Sequence, residues 1–462
     1  MLERMKHGVI GAGPCGTLSA LLLLEAGYEV VLFDVNDKSE SLNVDLKSNL
    51  KLMVDSASPY DLNQLLDLKF ESTPASFYRS KLLGGFSNVW GATWGSALVD
   101  EDQHWNSHYE QVSERVFGVL GSLPEDGFDY GCGCFDFLSD SLPEGKKNQH
   151  QNFSKTQLAI NPNICQCISA GETSCGHGSV WNSKSFLEKC ARYEGFSLRD
   201  GIDVTEMKVS NENVVILCSE KTYSFDGITV AAGPIGSSEI LLNSFSNLKS
   251  LEVSDTLMGY MPFFKYKLNS GHSGAFAFSQ FRFDLRFNGG DLQAHVQLYS
   301  HSEIYLDRIL GKLPKIIRPL FAKLAGFLLP HIGIALIYLD SKASTSLSLS
   351  KGTGDRELEV KVIRPDKSVW GLRRKIMGAF QGLKMFPLVA LISWAKPGES
   401  YHLGAGGRDL LDEYGFVEFN KRISVAGSLA LPRIDPGPIT HAAMAQSSRL
   451  VEKIIHQNLE SS

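Results

Sequence analysis

No stretch of this 462-residue chain is apolar over the ~20 residues that a membrane-spanning helix requires. The one early apolar run, Leu18 to Leu24, follows directly on a glycine motif, so it reads as neither a membrane anchor nor a secretory leader, and a cytoplasmic setting is expected. Neither sign of charge is in large excess: 45 Lys and Arg stand against 51 Asp and Glu, a formal net charge of -6. Such a balance gives no global attraction to nucleic acid or to an anionic membrane, so nucleic acid is not expected as a partner. Cysteine is sparse, 8 residues, too few for a disulfide scaffold in a chain of this length. Internal repeats and low-complexity tracts are absent as well. What is present is 43% apolar residues, enough to bury a sizeable core, and ~150 residues per domain predicts two or three domains.

The N-terminus carries the clearest pattern. His7-Gly8-Val9-Ile10-Gly11 reads as a short buried strand, an apolar helix follows from about Cys15 to Glu25 with Ala26-Gly27 as its stop, and Tyr28 to Phe33 reads as a second buried strand ending at Asp34. Gly11-Ala12-Gly13-Pro14-Cys15-Gly16 is a G-x-G-x-x-G pattern at the strand-to-helix turn, where backbone amides and the helix dipole can hold a pyrophosphate. Asp34 stands 18 residues beyond Gly16, where a carboxylate would accept hydrogen bonds from ribose hydroxyls. By itself this unit does not separate FAD from NAD. Cys15 has two readings: a thiol made reactive by the helix N-terminus, or a small residue packed beneath the turn.

Three further segments resemble the glucose-methanol-choline (GMC) oxidoreductases, and with the N-terminus they cover roughly the cofactor-binding half of the chain. Gly84-Gly85-Phe86-Ser87-Asn88-Val89-Trp90 is similar to the family's glycine-rich flavin-contacting loop. Val89 stands where some members carry a histidine bonded covalently to flavin, so the resemblance implies FAD bound without a covalent link. Ile228 to Leu242, with Ala232 and Gly233 at its turn, is similar to the signature in which a strand ends at A-G and a helix begins with small residues. Ile423 to Ala445, with Gly427, Ser428 and Pro438, resembles the stretch in which the family returns to the flavin and covers its pyrimidine end with a helix N-terminus. The resemblance thus implies FAD held by Gly11, Gly13, Pro14, Cys15, Gly16, Asp34, Gly84, Gly85, Ser87, Asn88, Val89, Trp90, Ala232, Gly233, Gly427, Ser428 and Pro438.

Oxidising an alcohol removes a hydroxyl proton while hydride leaves the same carbon, so a base must lie within hydrogen-bond reach of the oxygen, and histidine suits that work near neutral pH. Ser400-Tyr401-His402 resembles the family's S-x-H-x-x-G segment, although the third residue after His402 is Ala405 and the glycine, Gly404, comes one position early. His402 is the expected base. The family places a histidine or asparagine immediately before the residue matching Pro438; here that residue is Gly437, which leaves substitution by His441, a one-histidine site, or a different chemistry.

Cys165, Cys167 and Cys175 fall where some relatives carry a cysteine cluster that can bind an iron-sulfur centre; their spacing departs from the standard runs, and reduced cysteines on packed loops are the plainer reading. Residues 312–329 form an amphipathic basic helix by pattern, kinked at Pro319, which either packs on its own domain or lies in a membrane interface as a peripheral contact.

The expected fold is α/β: a doubly wound, Rossmann-like FAD-binding domain from residues 1–100, 195–250 and 396–462, with a mostly antiparallel-sheet substrate domain from 101–194 and 251–395. In the latter, Phe281 to Phe287 and Gln293 to Leu298 read as strands and Ile332 to Ser350 as a hairpin. The resemblance implies oxidation of a CH–OH group of a small-molecule alcohol or sugar, free or lipid-linked, with an electron acceptor that the sequence does not name. The alternatives are a non-redox, flavin-dependent sugar isomerase or mutase, and a flavin-binding membrane-surface protein without catalysis.

Overall fold

Val9 and Ile10 of the first strand and the run Val30-Val31-Leu32-Phe33 of the second are buried on both faces, the composition of strands inside a parallel sheet. The computed structural model of the chain describes residues 4–35, 67–70, 75, 80, 82–88, 90–95, 103–121, 153–161, 179–209, 213–218, 221–265, 278–290, 292–299, 318–319, 331–352, 357–363, 371–383 and 385–461. In it Lys6–Ile10 lies at the centre of a six-stranded sheet, parallel to Glu29–Asp34 on one side and to Gly227–Val230 on the other. Phe196–Asp200 and Asn420–Val425 extend this sheet in parallel, and Phe416–Val417 closes one edge in antiparallel. Segments more than 400 residues apart in sequence, Lys6–Ile10 and Asn420–Val425, therefore lie in one sheet.

Both faces of the sheet are covered, as a doubly wound fold requires. One face packs on the helix Pro14–Glu25 together with Gln103–Leu120, Lys184–Cys190 and Thr440–Ser461, through Leu18, Leu21, Val112, Val116, Phe117, Phe186, Met444 and Val451. The other face packs on the helix Gly233–Ser244 and on a three-stranded antiparallel sheet of residues 206–225. The segments 103–120 and 184–190, assigned from sequence to the second domain, thus pack with the dinucleotide layer. Burying their apolar stripe here is worth ~1.5–3 kcal/mol per large side chain.

The second sheet has seven strands and is antiparallel throughout, with Met258–Lys265, Ile332–Leu339, Leu292–Tyr299 and Phe281–Phe287 paired in that order. The two expected strands at 281–287 and 293–298 are present. The expected hairpin Ile332 to Ser350 is not: Ile332–Leu339 belongs to this sheet, whereas Ser346–Lys351 pairs with Ser250–Ser254 and Glu357–Ile363 in a different one. The chain is redirected between them by a single helical turn, Ser341–Ala343, capped by Asp340, whose carboxylate accepts from the Lys342 amide at 2.8 Å.

Side chains of the seven-stranded sheet alternate. Phe281, Phe283, Leu285, Val296, Leu298, Ala335 and Ile337 form one apolar face, packed with Ile376 and Phe380 of the helix Leu372–Gly382. Asp284, His295 and Tyr338, which oppose one another across three adjacent strands, lie in one row of the other face. That face looks toward the loop of His402. Among the described residues no helix is long and apolar enough to cross a membrane.

Candidate functional site

A cavity of about 240 Å³ opens where the first strands of the central sheet end. Gly11, Gly13, Pro14, Cys15, Asp34, Gly85, Ala232, Gly233, Gly427 and Ser428 of the expected cofactor residues line it. The first turns of three helices reach it, through Pro14 and Cys15, through Gly233 to Gly236, and through Thr440 and Ala443. None of these helices carries an acidic residue in its first turn, so three dipole ends converge without an opposing charge of their own, an arrangement that favours an anionic ligand.

The glycines divide the work. Gly11 adopts φ +104, and a Cβ there would lie 2.5 Å from the Ala231 carbonyl oxygen, so the turn admits only glycine. At Gly16 a Cβ would fall 1.8 Å from the Gly11 oxygen; this glycine does not line the cavity but lets the helix seat against the turn. A Cβ at Gly13 or Gly233 would meet nothing within 4 Å, and both line the cavity, so they leave room where a ligand's backbone-hugging part would lie. Those features fit a pyrophosphate-bridged dinucleotide. Asp34 accepts a hydrogen bond from the Ala12 amide at 2.7 Å, which fixes its carboxylate at the rim. Burial pushes the Cys15 thiol up to about 11, against a hydrogen bond with Ser447 that lowers it, so Cys15 stays a protonated packing residue and the reactive-thiol reading fails.

Among the described residues of the loop around residue 85, Gly85 and Phe86 face the cavity. Its polar residues hold the loop instead: Ser87 donates to the Gly84 carbonyl at 2.6 Å and contacts Ser183, and Asn88 donates to the Gly85 carbonyl at 2.8 Å and accepts from Asn182 at 2.8 Å. Trp90 donates its indole N–H to the Trp181 carbonyl at 3.0 Å. Gly84, at φ +103, provides the turn that Ser87 closes. Val89 lies outside the described residues, as do Cys165, Cys167 and Cys175 and all of 312–329 but residues 318 and 319.

His402 sits on a loop anchored from below. Asp255, 1% exposed, accepts from the Ser400 hydroxyl at 2.5 Å and from the Gly398 amide at 2.8 Å, and Ser400 in turn accepts from the His402 amide at 3.0 Å. Burial pushes the Asp255 carboxyl up to about 6, even though these hydrogen bonds favour its ionised form. Tyr401 and Ala405 bracket the histidine at φ +61 and φ +50, a left-handed conformation that costs a non-glycine residue of order 1–3 kcal/mol. Ala405 thus keeps the backbone shape of the glycine expected at its position. Tyr401 and Leu403 line the cavity, Tyr401 edge-on to Phe86 at 6.0 Å between centroids, while the His402 ring between them turns to the seven-stranded sheet. There it stacks on Tyr338, and burial, with the neighbouring His295 adding to it, holds the imidazole down to about 3, so it is neutral.

His441 goes elsewhere. Its ring stacks on Trp94 with centroids 4.4 Å apart, and its Nε2 lies 2.9 Å from the Tyr109 carbonyl and 3.1 Å from the Ser113 hydroxyl, facing the helix Gln103–Leu120. Burial holds it down to about 4. Thr440 and Ala443 on either side line the cavity; His441 and Pro438 do not. The structure therefore places His402 between the cavity-lining Tyr401 and Leu403 with its ring against Tyr338, outside the cavity lining, and leaves His441 in an aromatic cage. Phe86, Tyr401 and Asp255, which sequence reasoning passed over, all bear on the site, and Asp255, outside every recognised motif, left no local sign.

No family model and no curated relative matches the sequence. Among solved structures the chain is similar to pyridoxine 4-oxidase from Mesorbium loti, a GMC-family FAD oxidoreductase, with a TM-score of 0.61 over 98% of this chain and 99% of that one, at 13% identity. The likeness is one of fold, and it is the fold that the resemblance predicted.

Proposed function

We propose, from a fold shared with a GMC oxidoreductase, that the chain is an FAD-dependent enzyme oxidising a CH–OH group of a small alcohol or sugar. The observation that carries this reading is one cavity bounded by three helix N-termini at one end and by the strained, anchored loop of His402 at the other. Non-covalently bound FAD would place its pyrophosphate against Gly11, Gly13 and the first helix, its ribose at Asp34, and the rest of its length toward Gly85, Phe86, Tyr401, Gly427 and Ser428. When bound, the flavin supplies the hydride acceptor. The protein's share is to hold the pyrophosphate charge with helix dipoles, to fix the loop through Asp255 and Ser400, and to present the neutral His402 imidazole to the hydroxyl whose proton must leave.

Pyridoxine heads a substrate panel because of the structural likeness, followed by primary alcohols and aldoses. The purified protein should show the two-band flavin spectrum, release FAD on denaturation, and bleach under anaerobic conditions with the correct alcohol. His402→Ala should retain the bound flavin and lose the bleaching. A colourless protein that takes up no FAD refutes the reading, as does flavin left oxidised by the whole panel. Gly437 motivates the rival reading of a non-redox isomerase, whose mark would be turnover only after prior reduction of the flavin.

A further inference from the structure

The row Asp284, His295, Tyr338 on the second sheet was not visible as a unit in sequence, because only strand register joins it. His295 is 1% exposed, and its Nδ1 lies 2.7 Å from Asp284 Oδ1. An ionised carboxylate only accepts, so a neutral imidazole bonded to it this way donates from Nδ1 and keeps its lone pair at Nε2. That Nε2 is buried with no hydrogen-bond partner among the described residues, and so is Nδ1 of His402. Leaving one such nitrogen unsatisfied costs ~1–3 kcal/mol, and two at one place call for a ligand between or beside them. The rings are neighbours: His402 stacks on Tyr338, the cross-strand partner of His295.

We propose that His295, braced by Asp284, is the second proton-handling residue of the site, filling from the sheet the role that Gly437 leaves empty in the C-terminal stretch. This rests on the reading of the chain as a flavin-dependent alcohol oxidoreductase. The substrate hydroxyl lies between the two imidazoles. As the carbon gives up hydride, the hydroxyl's O–H bond breaks, its electron pair becomes the second bond of the carbonyl, and the proton leaves to Nδ1 of His402 and passes on to Nε2 of His295. The imidazolium so formed faces the Asp284 carboxylate, which balances its charge without taking the proton. Among the described residues the groups facing His295 are Asp284 from strand Phe281–Phe287, Tyr338 from Ile332–Leu339 and His402 from its loop, and Arg282 and Arg286 flank Asp284 on the same face of its strand.

The amide nitrogen of asparagine overlies imidazole Nδ1, and that of glutamine overlies Nε2. His295→Asn therefore keeps the bond to Asp284 and removes the lone pair. It is expected to bind FAD and unfold at the wild-type temperature, yet to slow flavin reduction by roughly 100-fold or more, the usual share of a proton-transfer group. A purely structural histidine would be rescued by Asn, and reduction at the wild-type rate overturns the inference while the parent reading stands. A second readout does not depend on turnover. In ¹⁵N spectra at pH 7 the wild-type protein should show His295 protonated at Nδ1, and Asp284→Asn, which can donate, should shift the proton to Nε2. An Nε2-protonated His295 in the wild type overturns the proposal whatever the flavin does. Wild-type flavin that no alcohol reduces overturns the parent reading, and this role with it.

Discussion

The imidazole of His402 lies on the phenol ring of Tyr338, with centroids 4.6 Å apart and planes 18° from parallel. The phenol is fixed by strand pairing on both sides, so the stack transfers the rigidity of the sheet to a side chain carried on a loop. Stacked aromatic pairs contribute ~0.5–1.5 kcal/mol beyond the area they bury, and that is the energy available to hold the ring in register. Tyr338→Leu should therefore leave FAD binding unchanged and lower the rate of flavin reduction by up to about tenfold, read by anaerobic stopped flow. An unaltered rate would mean that the loop alone orients His402.

Two glycines three residues apart in the same turn should behave oppositely. Gly13→Ala puts a methyl where no atom lies within 4 Å, on a residue whose φ of -69 suits any amino acid, so the protein should fold as before. The methyl enters the cavity, and FAD affinity should drop tenfold or more by equilibrium titration. Gly16→Ala drives a Cβ to 1.8 Å from the Gly11 oxygen, backbone against backbone, and should appear as lost soluble protein or a lowered unfolding temperature. Equal FAD affinity in Gly13→Ala and wild type would place the pyrophosphate elsewhere.

Stability should fall as the solution is acidified below pH 6.5. His7 and His402 are held down to about 3 and His441 to about 4, each chiefly by burial, so the folded state stays unprotonated where the unfolded chain takes up protons. Their contribution is complete above 6.5 and is lost as pH falls toward those values. Asp255 acts in the reverse sense: raised from 3.8 to about 6, it binds a proton in the folded state within that window and offsets one of the three. Near pH 5 the net difference approaches two protons, three less one, or about 2.7 kcal/mol per pH unit. Urea midpoints between pH 7.5 and 5 measure this slope. Asp255→Asn removes the offset and should steepen it by about one proton; parallel slopes for variant and wild type would contradict the burial argument.

These predictions draw on two kinds of information, only one of which is local. The glycine turn, its strand and its helix were legible because each is specified within a few residues: Gly11 by its φ, Gly16 by a contact five residues away, the second strand by the apolar run Val30 to Phe33. Polar residues of the loop at 84–90 matched a motif yet proved to hold the loop through Ser183, Asn182 and Trp181, partners some 90 residues distant that no spacing announces. The misread hairpin at 332–350 failed for the same reason: the apolar run Ile332–Leu339 finds both its partners outside the hairpin. His295 and Asp284 each looked like one polar residue in an alternating strand, and only the register makes them a pair.

Gly437 is the point at which the motif and the backbone meet. It stands where an asparagine or histidine would supply the second polar group, and restoring one reads from sequence alone as a repair. The backbone forbids it: Gly437 adopts φ +112, beyond even the left-handed region that asparagine tolerates near +57. Forcing a side chain there costs of order 1–3 kcal/mol or shifts the turn that leads into Thr440–Ser461, whose first residue lines the cavity. Gly437→Asn should accordingly lower the unfolding free energy by about that amount and weaken FAD binding, with no gain in flavin reduction. A variant as stable as wild type and faster in reduction would show that the turn relaxes freely and that the C-terminal stretch, rather than the sheet bearing His295, is the natural place for the second group.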